Sequence, residues 1–190
     1  MPTKSGGFPP GLAALVAEAG KVVPSRPVER WNPPFCGEID MRIAADGTWF
    51  YRGSPIGRDA LVRLFASILR REPDGRHVLV TPVEKVGIVV EDAPFMAVEV
   101  ASDGEGAERV LTFRTNVGDI IAAGPDHPLR FQTESGTNGL KPYVLVRGAL
   151  EALATRALQS ELVALAGEHR GRLGLWSGGA FFAFPESAHG

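Results

Sequence analysis

Cysteine is almost missing: Cys36 is the single one in 190 residues. No intrachain disulfide can form, so the fold is not a stapled scaffold, and one cysteine fits a reducing cytosol. No flanking motif supports Cys36 as a nucleophile, and it reads as a small buried hydrophobe. Long apolar runs are missing too. The run Leu12 to Ala17 is too short and interrupted for a signal peptide, and no segment reaches the ~20 apolar residues of a membrane-spanning helix. Both absences point to a cytoplasmic protein. Neither sign of charge is in excess, with 20 Lys and Arg against 22 Asp and Glu and a formal net charge of −2. That balance argues against holding a long polyanion and leaves room for a local basic site.

Catalytic signatures are missing as well. Gly104-Glu105-Gly106 has Arg109 where a dinucleotide fingerprint needs its last glycine, so it reads as a hairpin loop. There is no phosphate-binding Walker loop. Gly53-Ser54-Pro55-Ile56-Gly57 misplaces its serine for a nucleophile elbow. His77, His127, His169 and His189 lack metal-ligand spacing, so no metal and no cofactor is implied.

What is present is a packed core in the making. Hydrophobic residues are 44% and charged residues 22%, the profile of a globular chain of one domain or two small ones. Gly11–Ala19 carries an i, i+3, i+4, i+7 stripe, a short amphipathic helix ended by Gly20. Residues 24–34, rich in proline, read as an extended linker. Ile39, Met41 and Ile43 alternate with Asp40 and Arg42 as a strand, Asp46-Gly47 marks a turn, and residues 48–52 run back. Ser54-Pro55 offers a helix cap and a first-turn proline for a stripe running from Ala60 to Leu69, with Arg70 and Arg71 facing away. Pro73-Asp74-Gly75 stops it, and residues 77–81 form a third strand.

Pro82 is where a second unit is expected to begin, giving units 1–82 and 83–190. Val86–Glu91 reads as a strand. Residues 95–101 and 109–114 pair across a Gly-rich loop, and short apolar runs follow at 119–122, 129–131 and 143–146. That is the pattern of a curled antiparallel sheet. Leu150–Ala166 reads as a second long helix, and residues 173–176 and 180–184 as a terminal hairpin. Phe181 and Phe182 point to opposite faces, so one side needs cover such as the N-terminal helix or a second subunit. A strand, Arg-Gly, helix, Gly, strand order occurs at Arg52-Gly53 and again at Arg147-Gly148, either a duplication or a generic unit met twice. The class is α+β, mostly antiparallel sheet, in two apposed units.

Polar residues at strand ends and a helix start supply the candidate site. Asp40 and Arg42 project from one strand face, against either solvent or a cover that would demand partners. Arg58 at the helix start combines a cation with free backbone N–H groups, an anion seat unless Asp59 neutralises it. Arg114 and Asn116 end a strand in a polar turn, and Lys85 and Arg147 add charge. These seven residues form a candidate anion-binding set, with Asp40 orienting Arg42 or accepting from a base or ribose.

The blocks WNPPFCGEIDMRIAADGTWFYRGSPIGR, TPVEKVGIVVEDAPF, LTFRTNVGD, GPDHPLRF, PYVLVRGALEAL and GLWSGG occur in order from about Trp31 to Phe184. Together they resemble a bacterial domain-of-unknown-function family, twelve-eighty-five. The resemblance implies two α+β domains on a duplicated motif, the second superficially like a pleckstrin-homology fold. It implies a nucleotide-like ligand at the domain interface and a role in signal transduction. The reading is a small-ligand sensor or adaptor. Alternatives are a hydrolase acting on a nucleotide-like substrate and an interaction module or homo-oligomer using the C-terminal hairpin.

Overall fold

The structure is a computed structural model describing residues 7–19 and 26–186. Gly20, Pro24 and His189 lie outside the described residues. The chain divides into two units, Met1–Asp92 and Ala93–Gly190.

The N-terminal unit opens with α1 (Pro10–Val16), which starts on a proline, tolerated where the first N–H groups are unpaired anyway. It is shorter than expected because Glu18 and Ala19 close i→i+3 bonds to Leu15 and Val16, a tightened last turn. The proline-rich stretch is more than a linker: residues 28–30 form a 3-10 turn with Val28 buried. β1 (Phe35–Ile43) alternates as expected, with Met41 and Ile43 in the core and Asp40 exposed. Cys36 sits at its outer start and is exposed rather than buried.

Thr48 N–H donates to Asp46 Oδ1 at 2.9 Å, fixing the turn into β2 (Trp49–Tyr51). Arg52 (φ 50°) and Gly53 (φ 78°) then form a two-residue turn with both φ positive. It folds Ser54–Pro55 back as an edge strand, β3, opposite Tyr51 and Phe50. Ser54-Pro55 therefore does not cap a helix. An edge strand spares the missing proline N–H. α2 runs Asp59–Ser67. Its end comes earlier than the apolar stripe suggests. Ser67 Oγ donates to Leu64 O, competing with further helix, and Leu69–Arg71 pair as β4 with β5 (His77–Val80).

The expected division at Pro82 moves ten residues later. Residues 81–84 are only a turn, with Thr81 N–H donating to Glu84 O. The next strand, β6 (Lys85–Val90), lies between β5 and β1, antiparallel to the first and parallel to the second. It is a central strand of a six-stranded sheet ordered β3-β2-β1-β6-β5-β4. Trp49 and Phe65, both buried, stack with centroids 6.3 Å apart, so α2 covers the Met41–Ile43 face.

The C-terminal unit has a second six-stranded sheet. Its strands are β7 (Phe95–Asp103), β8 (Val110–Thr115), β9 (Ile120–Ala122), β10 (Leu129–Thr133), β11 (Leu140–Arg147) and β12 (Leu150–Ala154), ordered β10-β11-β12-β7-β8-β9. All its pairs are antiparallel except β12 with β7. The expected helix over Leu150–Ala166 is thus two elements. Gly148 (φ 54°) turns the chain back on β11. Thr155 then caps α3 (Arg156–Ala164), its side chain accepting from Leu158 N–H at 3.4 Å. A central strand is apolar on both faces, so it reads like a helix. β13 (Gly167–His169), β14 (Arg172–Ser177) and β15 (Ala180–Ala183) make a separate antiparallel sheet. Ser177, fully buried, ties it to the larger one, donating to Ala123 O and accepting from Leu111 N–H, each at 2.8 Å.

The molecule is mostly sheet with few helices. Both units contain the order hairpin, helix, hairpin: β2–β3, α2, β4–β5 and β11–β12, α3, β13–β14.

Candidate functional site

Asp40, Arg42, Arg58 and Lys85 belong to the N-terminal unit. Arg42 is not oriented by Asp40. It donates to Glu91 Oε1 at 2.6 Å and lies 4.4 Å from the Phe50 ring centroid, with its side chain 40% exposed. Glu91 also accepts from Ala45 N–H at 2.9 Å. That backbone bond, then Arg42, holds its carboxyl below the usual range. With Asp40 and Glu91 beside one arginine, this face is no strong seat for an anion.

Lys85 stands opposite Phe35, while Arg42 stands opposite Val89, four residues further along β6, or ~13 Å. Lys85 Nζ lies 2.9 Å from Glu72 Oε1, which also accepts from Arg70 Nη2 at 2.8 Å. Arg70 donates in turn to Val28 O and Trp31 O at 2.7 and 2.8 Å. Arg70 is therefore buried, not turned away, and pins residues 28–31 to the sheet. Burial works against the Glu72 charge, but the bonds from Arg70 and Lys85 leave its carboxyl below the ordinary value. Arg58 is the exposed N-cap residue of α2 and makes no side-chain cap. That helix covers the sheet face opposite to Arg42, so the N-terminal candidates do not converge within their unit.

Arg114, Asn116 and Arg147 belong to the C-terminal unit. Arg114 Nε donates to Glu99 Oε2 at 2.9 Å, with a second bond from Nη2 to Oε1. Asn116 brackets Met96: its N–H donates to Met96 O at 2.9 Å and its Oδ1 accepts from Met96 N–H at 3.0 Å. Asn116 is thus engaged as a backbone clamp. Arg147 follows a register shift in β11 and pairs with Leu150. The shift turns it toward the core face, 5.8 Å from the Phe95 ring centroid.

The opposite face of this sheet gathers residues that sequence reasoning missed. One row runs Arg130, Tyr143, Leu153, Met96 across β10, β11, β12 and β7, spanning ~14 Å. Arg114 projects on the same side, since its neighbours Phe113 and Thr115 are buried in the core. Tyr143, 3% exposed, packs with Ala93, Leu153 and Met96. Two cations cover its ring: Arg130 Cζ at 4.1 Å and Lys141 Nζ at 5.7 Å from the centroid. Its hydroxyl reaches Gln132 Oε1 at 3.4 Å. Arg130 makes a two-pronged bond to Glu151 at 2.9 and 3.0 Å. Polar residues alternating on β10 (Arg130, Gln132) and β11 (Lys141, Tyr143) were the available signal. The register that aligns them is not written in either strand alone.

Two other features offer less. A narrow crevice on the core face, among Ala97, Phe113, Leu129 and Val144, is too tight to admit a water molecule. Among the described residues, no three or more His, Cys, Asp and Glu side chains are placed to hold a metal ion, and no helix is long and apolar enough to cross a membrane.

Fold and face together define a two-unit, sheet-dominated α+β protein whose second sheet carries a buried tyrosine capped by two cations. The chain belongs to the DUF1285 family, described as a protein family of unknown function. Residues 26–93 match its N-terminal domain and residues 94–184 its C-terminal domain, a junction one residue from the structural division at Asp92. A DUF1285 family protein from Silicibacter pomeroyi DSS-3 is similar in structure at TM-score 0.82 and 53% identity, over 90% of this chain and 93% of that one. A second, from Shewanella baltica OS155, is similar at TM-score 0.51 and 27% identity, over 66% of this chain and 91% of that one. No curated protein matches.

Proposed function

We propose that this is a small-ligand-binding protein, a sensor or adaptor in signal transduction, and that its C-terminal unit takes an anionic, nucleotide-like molecule on the Tyr143 face. The observation that carries the reading is the pair of cations over one ring. Arg130 and Lys141 flank Tyr143 at 4.1 and 5.7 Å, on a face that also bears Arg114 and Gln132. Cations held over an aromatic ring are positioned before a ligand arrives, which lowers the ordering cost of binding. Glu151 pairs with Arg130 and Glu99 with Arg114, so the carboxylates hold these arginines in place on the face.

Two finer readings of the architecture belong with it. The hairpin–helix–hairpin order in both units supports duplication. A curled six-stranded sheet with one helix packed on it supports a pleckstrin-homology-like second unit, from which the parallel β12–β7 pair and the added β13–β15 sheet depart.

The test is a calorimetric titration of the full chain with a panel of nucleoside mono- and diphosphates. A binder is expected whose affinity falls about tenfold in Lys141→Ala, or ~1.4 kcal/mol, and by at least as much in Arg130→Ala. Unchanged affinity in both variants removes the site, and no binding across the panel removes the ligand class.

A further inference from the structure

Residues 7–16 precede the matched family domain, which starts at residue 26. Yet they are seated on the N-terminal unit by a specific set of contacts. Phe8 stacks on Tyr51 with centroids 4.4 Å apart and tilts against Phe65 at 5.6 Å. The Tyr51 hydroxyl donates to Gly7 O at 2.9 Å. Leu12, four residues after Phe8, is fully buried. Its N–H belongs to the first turn of α1, where no intrahelical acceptor exists, and it donates instead to Glu84 Oε1 at 3.0 Å. Pro9 at the N-cap makes no such bond. Glu84, 72 residues away in sequence and 8% exposed, therefore takes over the capping role. Gly11 completes the fit, because a Cβ there would sit 2.4 Å from Glu84 Oε1.

These contacts describe a recognition groove rather than a generic hydrophobic landing. It takes an aromatic ring, then glycine three residues later and leucine four residues later, with a free helix-start N–H facing a buried carboxylate. A buried carboxylate needs a donor, so the groove is costly to leave empty. The covering segment is far in sequence from Tyr51, Phe65 and Glu84, and within the N-terminal unit it precedes the stretch that the family domain matches.

We propose that residues 7–16 are a detachable strap, and that the groove formed by Tyr51, Phe65 and Glu84 also takes the same segment from a second copy of the chain. Exchange of an identical element conserves every contact and is a low-cost route to association. In the folded monomer the strap occupies its own groove and competes with the incoming one.

The test uses full-length chains and a fluorescent peptide of residues 7–19 as the probe. Leu12→Asp disables the chain's own strap and leaves the groove intact. Phe8→Ala does so more mildly. The peptide is expected to bind both variants one to one, at least tenfold more tightly than it binds the wild type. A peptide carrying Leu12→Asp should not bind, and Glu84→Gln combined with Leu12→Asp should lose most of the gain. The proposal is overturned if folded variants fail to bind the peptide, or if wild type and variants bind it equally. It is also overturned if both variants lose their cooperative thermal transition, since the segment would then be an integral part of the core.

Discussion

Replacing Glu72 by alanine is expected to destabilise the N-terminal unit by about 3 kcal/mol, the low end of what breaking a buried ion pair costs. One carboxylate oxygen neutralises two cations, with side-chain exposures of 9% for Arg70, 18% for Lys85 and 14% for Glu72 itself. Without it, Arg70 retains Val28 O and Trp31 O as acceptors but loses its counter-charge. Lys85, closest to water, relieves part of its own burden by solvation, which is why the low end applies. With a denaturant slope of roughly 2 kcal/mol per molar urea, the midpoint should fall by about 1.5 M. Fluorescence in a Trp176→Phe background reports Trp31 and Trp49, both in this unit. The pH dependence has a definite sign. The folded-state carboxyl of Glu72 is held below its ordinary value of 4.5, so its contribution is present above about pH 4.5 and lost as pH falls through the lower folded value. The variant should therefore show a shallower acid limb. Replacing the triad together with apolar residues should recover much of the loss, because the desolvation of three charges disappears with the pair. A midpoint shift under about 0.3 M for Glu72→Ala would refute the view that this cluster clamps residues 28–31.

Other expectations follow from single groups. Burial, then the nearby charge of Arg71, depresses His77 from 6.5 to about 4. A depressed base favours folding above its unfolded pKa, so this contribution is full above pH 6.5 and declines between there and about pH 4. A histidine-resolved NMR titration should show His77 neutral at pH 5.5, and a midpoint near 6.5 would contradict its burial. Ser177→Ala should cost about 2 kcal/mol, because it leaves Leu111 N–H and Ala123 O unpaired in the core. Thermal melts of the variant check this, and a change under ~0.5 kcal/mol would mean water replaces the hydroxyl.

Much of the fold was legible because it is written locally. The alternation of Ile39, Met41 and Ile43, the Asp46-Gly47 turn and the hairpin across residues 103–110 depend on neighbours a few positions apart. The failures share a cause. Leu69–Arg71 and Leu150–Ala154 continue or carry helical stripes, yet each becomes a strand because another strand offers a ladder, the following β5 for the first and the distant β7 for the second. β6 reads as part of the second unit because its parallel partners in β1 lie some 50 residues earlier, and parallel pairing leaves no mark between the two strands.

The site was less legible for the same reason. Charge was visible at Arg42, Lys85 and Arg114, but not the carboxylates each one meets: Glu91, Glu72 and Glu99. A cation is available to a ligand only after its internal partners are counted, and those partners are set by strand order. Tyr143 is one of two tyrosines and reads in sequence as part of an apolar run, because its neighbours Arg130 and Lys141 come from the flanking strand and from two positions back on its own.

Amide chemical-shift mapping of the full chain, titrated with the best-binding nucleotide from the calorimetric panel, tests the central claim most directly. The proposed site predicts that the largest changes fall on Met96, Arg130, Gln132, Lys141, Tyr143 and Leu153. Changes centred on Arg42, Phe50 and Glu91, or no saturable change at all, would contradict it.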